Sequence, residues 1–151
     1  MWVDGRGLVV VGGSASAPAV EVLGTALSFG PWATAGAAVV ALDSHQVLAI
    51  GQGEVLLRGF DLSCTLSCTP TFLPTVLTGA LTQPTAVTLS DGSILVAGDD
   101  ATGGTQAVRL VGGEVRAVAP KVSRRGARTL GLPNGAAGLV GGALGIEALV
   151  P

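Results

Sequence analysis

A fourfold internal repeat constrains this 151-residue chain more than any other feature of its sequence. Asp4-Gly5 leads into LVVVGG, and Asp43-Ser44 leads into VLAIGQG. Asp91-Gly92 leads into ILVAGDD, and Asn134-Gly135 leads into GLVGG. The turns start at residues 4, 43, 91 and 134, so successive steps are 39, 48 and 43 residues. A turn dipeptide, an aliphatic run and a glycine pair or its remnant, recurring at roughly 40–50 residues, mark one supersecondary unit used repeatedly.

Each step accommodates four short strands. Asp-Gly and Asn-Gly between apolar runs are hairpin signals, and the expected turn is the two-residue kind with positive φ at both central positions. In the third unit, residues 86–89 read as a first strand. Residues 94–98 form an aliphatic second strand buried on both faces, and residues 106–111 and 114–119 form the third and fourth. In the second unit the strands fall at 37–42, 47–50 and 54–60, with residues 64–71 supplying the fourth. The first unit continues from its turn through 8–11, 19–23 and 26–29. The last ends at a third strand over 146–150. No 3.6-residue periodicity suggests a helix.

The run ALTQPTAVTLSDGSILVAGDD resembles one bacterial kelch-type repeat, and VDGRGLVVVGG and LPNGAAGLVGG are similar to it. The resemblance implies an all-β fold, a β-propeller of four-stranded antiparallel blades. The approximate blades are 1–33, 34–83, 84–125 and 126–151, a single unit over the whole chain. Two departures stand out: the glycine pair is Gly51-Gln52 in one unit and Gly98-Asp99 in another, and tyrosine is absent throughout. The missing tyrosine removes, within this chain, the nucleophile of sialidase propellers and the tyrosine ligand of kelch-like copper oxidases. Trp32 stands near a position where such repeats carry tryptophan.

A propeller ring has to close, because end blades otherwise expose apolar faces and strand edges. Three arrangements remain open: a piece of a larger propeller, a self-closing four-bladed ring, and a homo-oligomer of half-rings. Hydrophobic residues make up 48% of the chain and charged residues 12%, which favours burying the ends against something. The net charge of −2 gives no nucleic-acid surface. The apolar stretch 135–150 is too short and glycine-rich for a membrane span, and the first residues lack the basic start of a signal peptide.

Cys64 and Cys68 would stand roughly 13 Å apart in an extended strand, beyond disulfide reach, and can bridge only if residues 65–67 turn back. A disulfide, two free thiols and a metal pair are the alternatives. The first implies an extracellular or periplasmic location. His45 reads as a turn residue. Ser14-Ala15-Ser16, after a glycine pair, reads as a loop, not a nucleotide cradle.

Strand parity sorts loops onto faces. Asp99 and Asp100 should share a face with Lys121, Arg124, Arg125 and Arg128 of the basic stretch KVSRRGAR, and with residues 14–18, 31–34 and 71–83. That stretch reads as a solvated linker or as a site for an anionic partner such as an acidic protein loop or a charged sugar. Asp99-Asp100 reads as a solvated loop or a calcium contact. The candidate binding residues are therefore Asp99, Asp100, Lys121, Arg124, Arg125, Arg128 and Trp32, with no catalytic residue, metal or cofactor expected. The leading expectation is a non-catalytic scaffold recognising a protein. The second is a carbohydrate-binding propeller using Trp2, Trp32 and Phe72 as platforms, and the third is a hydrolase or oxidase fragment.

Overall fold

The computed structural model describes residues 1–12, 19–30, 32, 34, 36–65, 68–76 and 79–151, with the side chains of 74–76 left aside. The chain is all-β, with fourteen strands described in four antiparallel sheets. Sheet 1 holds β1 (Trp2–Val3), β2 (Gly7–Val11) and β3 (Val20–Val22). Sheet 2 holds β4 (Ala37–Ala41), β5 (Gln46–Gly51), β6 (Leu56–Asp61) and β7 (Thr71–Val76). Sheet 3 holds β8 (Thr82–Thr88), β9 (Ile94–Asp99), β10 (Thr105–Val111) and β11 (Glu114–Val118). Sheet 4 holds β12 (Arg128–Gly131), β13 (Ala137–Val140) and β14 (Glu147–Leu149). Strands pair in chain order within every sheet, so each repeat folds as one meander.

The repeat turns lie between the first and second strands of each sheet, but their geometry differs from the expected two-residue type. Leu89 N–H donates to the Ser93 carbonyl, and Leu132 N–H to that of Ala136, so three residues form each loop. Only the glycines Gly92 and Gly135 take positive φ, at 78° each. The preceding Asp91 and Asn134 stay in ordinary backbone space, and their side-chain oxygens accept N–H bonds from Ser93 and Ala136. A local side-chain bond replaces the second strained residue.

The aliphatic second strands of sheets 2 and 3 are buried on both faces, as their continuous apolar runs predict. Val47 and Ala49 of β5 pack with sheet 1, while Leu48 and Ile50 pack with sheet 3. In β9, Ile94 and Val96 face sheet 2, while Leu95 and Ala97 face sheet 4. Alternation with a period of two thus divides each strand between two separate cores. Among the described residues no hydrophobic cluster joins sheet 4 to sheet 1. First strands lie beside one another: Thr88 of β8 donates to the Ala41 carbonyl of β4, and the Thr85 and Thr129 hydroxyls of β8 and β12 meet at 2.8 Å.

The first glycine of each remnant pair is a packing requirement. A Cβ on Gly98 would stand 2.9 Å from the Leu81 Cβ, and one on Gly51 would stand 2.8 Å from the Trp32 ring. Only hydrogen fits there.

Two strand expectations fail. The fourth strand of sheet 2 is Thr71–Val76, not residues 64–71, because Cys64 and Cys68 are disulfide-bonded with Cα atoms 5.8 Å apart in the preceding loop. Residues 26–29 make only a single bridge, Ser28 to Glu21, instead of a fourth strand in sheet 1. Loop-closure entropy for so short a ring gives the disulfide about 2 kcal/mol of stabilisation. Cys64→Ser with Cys68→Ser should lower stability by that amount in chemical denaturation, and the unreduced denatured protein should titrate no thiol. Among the described residues no helix is long and apolar enough to cross a membrane.

Candidate functional site

The β5–β6 loop, the β9–β10 loop, the start of β8 and the β11–β12 link meet on one face, as strand parity requires. There they bound a cleft of about 340 Å³ lined by Gln52, Thr82, Gln83, Asp99–Gly103 and Arg125. Sheet 2 contributes Gln52 from its β5–β6 loop. Sheet 3 contributes the start of β8 and the β9–β10 loop, and the β11–β12 link contributes Arg125.

The carboxylates here have donors built around them. Asp99 is buried, and both its oxygens accept the Gly126 N–H, at 3.0 and 2.8 Å. Asp100 Oδ1 accepts from the Thr102 hydroxyl, the Thr102 N–H and the Gly104 N–H, at 2.6–2.9 Å. The Thr102 hydroxyl, followed by the Gly104 N–H, holds the Asp100 carboxyl below the usual aspartate range. Both groups brace loops. Among the described residues no cluster of three or more metal-ligating side chains occurs.

The basic stretch divides into three kinds of residue. Arg124 is only 3% exposed. Its guanidinium lies 3.6 Å from Glu147 Oε2 and donates to the Gly141 and Gly145 carbonyls. It ties the link to the β13–β14 loop and is not available to a ligand. Arg128 is exposed and donates to the Gln83 carbonyl at 3.2 Å. Lys121 is exposed, and its backbone N–H, not its side chain, bonds Glu147. Arg125 alone of these four lines the cleft.

Trp32 is displaced from its expected role, because it is 6% exposed and cannot present a ring face to a ligand. Its ring packs near Phe60, its Nε1–H donates to Glu54 at 2.8 Å, and the Arg58 guanidinium lies 4.7 Å from its centre. Arg58 also stacks on Phe72 at 4.9 Å and bonds Glu54 through two nitrogens. Burial pushes the Glu54 carboxyl up, but hydrogen bonds from Arg58 and Trp32 outweigh it and hold the group below its ordinary value. The cluster is a stacked, charge-neutral plug. Trp2 and Phe72, the other aromatic platforms considered, are exposed on separate sheets. His45 is exposed in the β4–β5 turn, its ring bonded to the Ser44 hydroxyl. Residues 14–18, and Pro31 and Ala33 within 31–34, lie outside the described residues.

Gln52 and Asp99, the two departures from the glycine pair, both line the cleft. Gln83 carries a second signal that sequence inspection misses: its φ of 49° places a non-glycine residue in the left-handed region, at a register shift in β8. Such a conformation costs about 1–3 kcal/mol and concentrates at sites that have a use for it.

No family model matches the chain, and no curated protein matches it. Among solved structures it is similar to one described as "Structure of YjhT", with a TM-score of 0.52 and 18% identity. The match covers 68% of this chain and 32% of that one. At this identity the likeness is one of fold. This chain spans less than half the length of that protein.

Proposed function

We propose that the four sheets are blades of a kelch-like β-propeller, and that the completed ring is a non-catalytic scaffold for protein recognition. The observation that carries this reading is the state of the two end sheets. Trp2, Leu8, Val10 and Leu23 share the outer face of sheet 1, and Trp2 is 68% exposed. Sheet 4 leaves Leu130 at 51% and Ile146 at 60% exposed. In sheets 2 and 3 the second-strand residues corresponding to Leu8 and Val10 are buried against a neighbouring sheet. Contiguous apolar faces of this kind call for a partner surface. The side-by-side first strands, the meander order and the kelch-like sequence pattern support blades as the units. Further blades, from a longer chain or from a second copy, would cover both ends. The disulfide is compatible with an oxidising compartment and so with an extracellular or periplasmic site of action. Stacking on sugars receives no support from Trp32.

Light scattering on the isolated chain tests this reading. A dimer, or association that Leu8→Asp combined with Leu130→Asp abolishes, is expected. A monodisperse monomer with well-dispersed amide signals overturns the proposal, since both end faces would then be stable in water.

A further inference from the structure

The cleft holds an arginine that the fold leaves unspent. Among the described residues, Arg58, Arg109, Arg116 and Arg124 pair with carboxylates, and Arg6 and Arg128 donate to carbonyls. Arg125 is the one arginine whose guanidinium has neither kind of partner. Its neighbours in sequence are pinned on both sides. Arg124 N–H donates to the Thr105 hydroxyl at 2.5 Å while its side chain is locked under the β13–β14 loop, and Gly126 N–H is held by Asp99. The guanidinium itself lies over the bare backbone of Gly103, where an added Cβ would come within 3.6 Å of it. A cation on a fixed backbone, seated at a polar cleft beside the strained Gln83, is arranged in advance for an anion.

We infer that Arg125 receives a single carboxylate, and that its source is an acidic side chain on a loop of a protein partner. A planar guanidinium matches a carboxylate with two parallel hydrogen bonds. Asp99 and Asp100, whose oxygens are engaged by the Gly126, Thr102 and Gly104 donors, line the same cleft, and these carboxyl groups disfavour a dianion such as phosphate more than a monoanion. The Gln52 and Gln83 amides along the same wall suit the backbone of an extended loop. The protein source rests on the scaffold reading above; the carboxylate site does not. Solution mass reports ring completion separately, so failure of one leaves the other standing.

The test follows Arg125 Nε–Hε and the Gly103 and Gly126 amides by NMR in the intact protein. The probes are a terminally blocked Ala-Glu-Ala peptide, its Ala-Gln-Ala counterpart, acetate and inorganic phosphate. Saturable shifts with the glutamate peptide are expected, tighter than with acetate or phosphate and absent with the glutamine peptide. Arg125→Gln should weaken the response at least tenfold and Arg125→Lys should retain part of it, with amide dispersion unchanged in both. No shift at Arg125, or an equal response to the glutamine peptide, overturns the site. Phosphate binding as tightly as the glutamate peptide overturns the preference for a monoanion. Acetate matching the peptide overturns the protein source and assigns the cleft to a small carboxylate.

Discussion

Glu147→Ala is expected to lower stability by about 3–5 kcal/mol. Glu147 and Arg124 are 9% and 3% exposed, and their charged groups approach to 3.6 Å. Neither Arg124 Nε nor Glu147 Oε2 has a hydrogen-bond partner in the structure. The two charges therefore depend on each other for compensation, and removing the carboxylate strands a guanidinium in a low-dielectric site. Glu147→Gln keeps an acceptor for the Lys121 N–H, yet it strands the same charge, so it should recover less than half of the loss. Urea denaturation, with the midpoint shifted and the slope unchanged, measures both. A cost below about 1 kcal/mol for Glu147→Ala would mean that water reaches the pair.

Gly142→Ala should cost more than about 3 kcal/mol, and Gly145→Ala only about 1, although both glycines have positive φ, 69° and 78°. The difference is space. A Cβ on Gly142 would stand 2.4 Å from the Arg124 carbonyl carbon and 2.6 Å from the Arg125 carbonyl oxygen, whereas one on Gly145 meets nothing within 4 Å. Backbone cannot swing aside as a side chain can, so the link carrying Arg125 has to move. The pair of variants separates conformational strain from collision in one denaturation experiment. Equal losses would show that strain accounts for both.

How much of this was legible in the sequence depends on the range of the interactions involved. The repeat and the doubly buried second strands of sheets 2 and 3 were readable, because period-two burial and turn dipeptides are encoded within a few residues. The fourth strand of sheet 2 was misplaced because a disulfide, which is a pairing between side chains, holds Cys64 and Cys68 together ahead of the strand. The cleft was half legible. Parity brought Asp99, Asp100 and Arg125 to one face, but nothing local distinguished Arg125 from Arg124. That distinction depends on Glu147, 23 residues further along from Arg124, and on the close approach of Gly142. Trp32 misled for a related reason. Whether an indole faces solvent or packs against Phe60 and Arg58 is decided by residues more than twenty positions away.

The division of β5 and β9 between two cores has a mechanical consequence. Leu48 and Val47 are adjacent in sequence yet belong to different interfaces, so the chain behaves as a row of links, each gripping its neighbours with alternate residues. Cohesion in such a row is a nearest-neighbour sum, as in a one-dimensional lattice. Loosening spreads inward from whichever end is uncapped, and sheets 2 and 3, gripped from both sides, are the last to let go. A partner that seats on either end thus stabilises sheets it never touches.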